Sequence, residues 1–170
     1  FLQLSSLQNL KLSLKISNQQ PSFLCHQAFK LPSLQKVYLQ IEYVQPTLKI
    51  LKNKLQTLSE IPKLYSLGLD LSKSNLVADE TLEDIVKAIR KFSHLKKLSL
   101  KFQECKKVTE NGIFALLSEI PNMSRLASLH LDFTDCCSII QPRSHNDFQF
   151  SQNSDSENIV SNLEKLSLSF

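Results

Sequence analysis

The residues best equipped for metal binding or nucleophilic chemistry are Cys25, Cys105, Cys136 and Cys137, together with His130 and His145. His130, Cys136, Cys137 and His145 could in principle gather around zinc. Zinc sites, however, show tight paired spacings, and this set contains no C-x-x-C pair. Cys136 and Cys137 are adjacent, which is poor geometry for an ordinary disulfide. The expectation is four reduced thiols in an intracellular protein and no metal. Cys25-His26 reads as packing in a short apolar helix. Asp79, Glu80, Glu83 and Asp84 form a second cluster. Their spacing puts them in the first turn of a helix, where carboxylates complement the dipole, so they read as structural rather than acid–base groups. G-x-S-x-G and H-E-x-x-H are both absent. Glycine occurs only at Gly68 and Gly112, which excludes a glycine-rich phosphate loop. No enzyme activity and no cofactor are expected.

The elements that position these residues come from a repeat. Leucine alone supplies 31 of the 170 residues, and much of it falls in one pattern. Leu7-x-x-Leu10-x-Leu12-x-Leu14 returns at Leu34, Val37, Leu39 and Ile41, then at Leu64, Leu67, Leu69 and Leu71. It returns again from Leu95 to Phe102, from Leu126 to Phe133 and from Leu163 to Phe170. The alternation inside each copy has period two and predicts short strands near 10–14, 37–41, 67–71, 98–102, 129–133 and 166–170. Between strands the period becomes helical: Leu48, Leu51, Leu55, Leu58; Leu82, Ile85, Val86, Ile89; Ile113, Leu116, Leu117, Ile120. Thr47, Asp79 and Thr109 stand where a side-chain oxygen could cap each helix. Pro32, Pro62 and Pro121 stand just before the next strand. Each unit has apolar faces it cannot bury alone, and stacking neighbours would bury them. The polar stretch near 136–157 breaks the rhythm and reads as an irregular insertion.

This pattern resembles the leucine-rich repeat family, in its ribonuclease-inhibitor-like class of long, helix-bearing repeats. The resemblance covers the whole chain and is closest from Leu95 to Pro121, with Gly112 at the helix start. It implies an α/β fold: a right-handed solenoid of about six repeats, a curved horseshoe with short parallel strands on the concave face and helices on the convex face. The Asn or Cys ladder of that family would fall at Lys15, Glu42, Ser72, Gln103 and Thr134, none of which is Asn or Cys. The ladder is therefore expected to be missing or weakly replaced. Gln103 is expected to tolerate alanine, in contrast to Leu100.

Charge and strand alternation point to a binding face. The net charge is +4, from 17 Lys and 3 Arg against 16 acidic residues. Nucleic-acid readers favour Arg and stacking aromatics, so a nucleic-acid partner is not expected. Lys49, Lys52 and Lys54 read as a solvated helix face. No run of eighteen apolar residues predicts a membrane span. Strand residues between the apolar positions should line the inner surface. A contiguous patch of Tyr38, Asp70, Lys97, Lys101, His130 and Asp132 is the expected partner-binding site, for a protein of acidic or mixed charge. The function expected is a protein–protein interaction scaffold. The alternative is the recognition arm of a larger catalytic protein, such as a ubiquitin ligase or a protein kinase. The chain starts at Phe1 and stops within an alternating run, so it is read as a segment of a longer protein, with exposed ends that favour self-association.

Overall fold

A computed structural model describes residues 6–16, 31–43, 48–136 and 163–170. It is an α/β structure built on one six-stranded, all-parallel open sheet. The strands are β1 (Asn9–Ile16), β2 (Lys36–Tyr43), β3 (Ser66–Asp70), β4 (Lys97–Lys101), β5 (Ser128–Asp132) and β6 (Lys165–Ser169). They pair in sequence order. Three helices occur among the described residues: α1 (Leu48–Ser59), α2 (Asp79–Ile89) and α3 (Glu110–Glu119). A single 3-10 turn, Ile120–Asn122, follows α3 and carries Pro121. No helix among the described residues is long and apolar enough to cross a membrane. The expected short helix at Cys25-His26, the cap at Thr47, Cys137 and His145, and residues 137–157 of the expected insertion lie outside the described residues, as does the side chain of Lys49.

Each strand begins one residue before its expected start, because the polar residue ahead of the first apolar one is already paired. Entry into the sheet is the same in every unit. One carbonyl accepts the two N–H groups that open the next strand: Gln35 O takes Tyr65 N and Ser66 N, and Tyr65 O takes Lys96 N and Lys97 N. Lys96 O does the same for Ala127 and Ser128. Pairing then runs in register, with Val37, Leu67, Leu98, Leu129 and Leu166 side by side.

One face of the sheet carries the core. Leu39, Leu69, Leu100 and Leu131 are buried against Leu51, Leu55 and Leu58 of α1, Leu82, Ile85 and Ile89 of α2, and Ile113 and Leu116 of α3. Phe102, Phe133 and Phe170 continue the core past the strand ends as a stack, with centroids 5.3 and 6.2 Å apart. At the end of the array packing thins. Leu166 on β6 remains 43% exposed although its register partner Leu129 is buried.

The turns after β3, β4 and β5 share one geometry. Lys73, Glu104 and Asp135 adopt left-handed backbone, with φ of 63°, 57° and 59°. None is glycine, although that conformation costs roughly 1–2 kcal/mol for other residues. Inter-unit bonds that extend the sheet around the bend hold it: Lys73 N donates to Gln103 O at 2.7 Å and Glu104 N to Thr134 O at 2.9 Å.

The expected gap in the side-chain ladder is corrected here. Rungs exist two residues further along, at Cys105 and Cys136, while Ser74 in the equivalent place accepts Leu76 N at 3.3 Å within its own turn. All three are buried. Cys105 Sγ donates to Leu71 O at 3.3 Å, and Cys136 Sγ donates to Phe102 O at 3.1 Å. Burial pushes the Cys105 thiol up to about 11. Each thiol is bonded to a backbone carbonyl of the preceding unit rather than held in a disulfide.

Candidate functional site

The open face of the sheet displays three polar rows set by the register. The first is Asn9, Lys36, Ser66, Lys97, Ser128 and Lys165. Two residues further along each strand come Lys11, Tyr38, Gly68, Ser99, His130 and Ser167. The third is Ser13, Gln40, Asp70, Lys101, Asp132 and Ser169. Strands sit about 4.8 Å apart, so neighbours in a row are in reach of one ligand.

The β1 to β5 members of the first two rows line a trough of about 530 Å³ that runs from Asn9 and Lys11 on β1 to Ser128 and His130 on β5. Neither row contains a carboxylate. Lys36, Lys97 and Lys165 are exposed, and among the described residues no acidic group forms an ion pair with them. Lys11 Nζ lies 5.3 Å from the Tyr38 ring centroid and Lys36 Nζ 5.9 Å from that of Tyr65. Such cation–π contacts leave the charge in place.

Tyr38 bridges the trough to the third row. The edge of its ring comes up against Gly68, where a Cβ would run into Tyr38 Cδ2. Its hydroxyl donates to Asp70 Oδ2 at 3.0 Å. Burial, then that hydrogen bond and the Asp70 charge, push the phenol up to about 12. The hydroxyl therefore stays protonated and serves as a donor, not as a base.

The acids of the third row face inward, toward the turns. Asp70 Oδ1 accepts Ser72 N at 3.1 Å. Asp132 repeats that turn, accepting Thr134 N at 3.1 Å and the Thr134 hydroxyl at 2.7 Å on Oδ1. Asp132 Oδ2 accepts Gln103 Nε2 at 2.7 Å. Asp132 is only 6% exposed. Burial pulls its pKa upward, but the Thr134 and Gln103 hydrogen bonds and the nearby His130 outweigh that and hold it below the usual carboxylate value. Gln103, expected to be an inert loop residue, is the donor that completes this network.

Of the six residues singled out from the sequence, Tyr38, Lys97 and His130 line the trough. Asp70, Lys101 and Asp132 form the adjoining row, with half-buried Lys101 set in register between the two acids. The structure adds Lys11, Lys36, Ser66 and Ser128 to the trough. Their positions follow from the same alternation, and only the register shows that they align across strands.

The other acidic cluster belongs to α2, with Asp79 and Glu80 in its first turn and Glu83 and Asp84 further along, paired with Lys87 and Lys52. Ala78, not Asp79, is the cap residue of α2. Asp79 reaches across to the next unit, where Oδ1 accepts Thr109 N at 2.8 Å and Oδ2 accepts the Thr109 hydroxyl. Thr109 in turn caps α3 through Asn111 N at 3.2 Å. Gly112 permits this approach, since a Cβ there would come within 3.0 Å of the Asp79 Cα. Compared with known proteins, the chain matches no family model and no curated protein.

Proposed function

We propose that this chain is a leucine-rich-repeat-like solenoid segment, helices convex and strands concave, and that it works as a protein–protein interaction scaffold binding a partner on its strand face. The single observation that supports this is the trough: two in-register polar rows with exposed lysines, an aromatic ring and no carboxylate. Solenoids present such rows as extended binding surfaces. The charge suits an acidic surface, which unpaired lysines would steer into contact. The two buried cysteines, neither in a disulfide, suit a reducing compartment.

Site-specific photo-crosslinking in cells tests the reading. A photoreactive residue at Ser99, in the trough, should yield a discrete set of protein adducts. The same residue at Glu83, on the exposed face of α2, should yield few. Equal labelling from both positions, or adducts from Glu83 alone, would overturn it.

A further inference from the structure

We infer that the occupant of the trough is an extended, polyproline-type segment that lies across the strands and carries a carboxylate at every third residue. The inference rests on the scaffold reading and names the partner's chemistry. It starts from the first row, where lysine recurs on alternate strands: Lys36 on β2 and Lys97 on β4 in the trough, and Lys165 on β6 past its β5 end, with Ser66 and Ser128 between. Two strand intervals separate successive lysines by about 9.6 Å.

Few backbone conformations repeat a side chain on one face at that distance. A β-strand repeats every second residue, about 6.7 Å apart, and its third residue points away. A polyproline helix has three residues per turn and rises about 3.1 Å per residue, so its third residue returns to the same face after about 9.3 Å. An α-helix meets a similar spacing only at every seventh residue, and it is at least about 10 Å wide.

The residues between the lysines fit the same ligand. A polyproline backbone makes no internal hydrogen bonds, so its carbonyls need donors. The Ser66 and Ser128 hydroxyls stand in the row where those carbonyls would pass. Tyr38, with its ring edge against Gly68 and its hydroxyl donating to Asp70, offers an aromatic surface of the kind against which proline rings pack. The acids that would repel such a ligand, Asp70 and Asp132, are engaged in their own turns.

The test is fluorescence anisotropy with two labelled twelve-residue peptides of identical composition. One repeats Glu-Pro-Pro four times, and the other gathers its four Glu in one block. The spaced peptide should bind roughly tenfold tighter or better. The double variant Lys36→Glu/Lys97→Glu should abolish the difference. Lys63→Glu/Lys107→Glu changes net charge equally at exposed positions outside the trough and should retain it. Lys36→Gln/Lys97→Gln is the milder form should the reversal perturb folding, and melting temperatures of all variants are compared. Equal binding of the two peptides would overturn the inference. So would tighter binding of a helical peptide with Glu at every seventh residue, or of single-stranded RNA with the same lysine dependence. If these fail while Ser99 still crosslinks a defined protein, the scaffold reading survives and the ligand geometry is wrong.

Discussion

The helix layer and the open face of the sheet treat their charges in opposite ways. Along the helices, cations meet acids of the same or the next unit. Lys52 pairs with Asp84 at 3.3 Å, Lys87 with Glu83 at 3.2 Å and Arg90 with Glu119 at 3.0 Å. On the open face Lys36 and Lys97 stand exposed, while the nearest acids are engaged in turns. The exposed pairs contribute little stability, about 0–1 kcal/mol each. Their effect is to neutralise one side of the molecule. The lysines of the first row are spaced on alternate strands, about 9.6 Å apart, near the screening length of about 8 Å at physiological salt. The row can therefore keep its charge at little cost, and the contrast marks it as a surface that an anionic ligand would complete.

The largest expected effect lies beneath both layers. Leu69 and Leu100 are buried under the sheet and against the helices, so replacing either by Ala should cost about 2–5 kcal/mol in urea unfolding. A loss below about 1 kcal/mol at Leu100 would mean that its strand is not the wall the two layers share. The glycines sharpen the comparison next. Gly112→Ala sets a methyl against the Asp79 carboxylate and backbone, which cannot both yield, and should cost about 1–3 kcal/mol. Gly68→Ala meets only the Tyr38 ring, which can swing outward. It should cost less than about 1 kcal/mol, because strand alanine recovers part of the loss. Reversal of that order would show the open face to be the tighter one.

Titration follows. The folded-state pKa of Asp132 is depressed, so its hydrogen bonds add stability above the unfolded carboxylate value, and that stability drains as pH falls through the folded value. Asp132→Asn should flatten the acid limb of stability against pH. Tyr38 acts in the other direction, with a pKa raised to about 12. Its contribution is intact below pH 10 and is lost as pH rises toward 12, a loss that Tyr38→Phe should remove. The smallest effect is expected on the helix layer. Arg90→Ala should cost under about 1 kcal/mol, and less in high salt. A larger loss would give the helix-side pairs a stabilising role that the comparison denies them.

Much of the architecture could be read from the residues. The apolar pattern located every strand start to within one residue, because period-two burial is written directly into side-chain type, while β1 and β2 run two residues past their expected ends. The stripes at Leu51–Leu58, Leu82–Ile89 and Ile113–Leu117 located the helices for the same reason. The ladder positions were harder. Ser74, Cys105 and Cys136 recur at the spacing of Leu64, Leu95 and Leu126, but three small polar side chains of two kinds make no hydrophobic pattern. The left-handed turns at Lys73, Glu104 and Asp135 carry no compositional mark, and at the first two the neighbouring unit's carbonyls hold the bend. The roles of Asp70, Asp132 and Gln103 follow the same logic. A strand-end acid reads as exposed until the preceding unit's side chain arrives to bond it. Burial preference is a property of each residue and is visible one letter at a time. Hydrogen-bond partners some thirty residues apart, and the alignment of Lys36 with Lys97 along one trough, come into being only when the units stack.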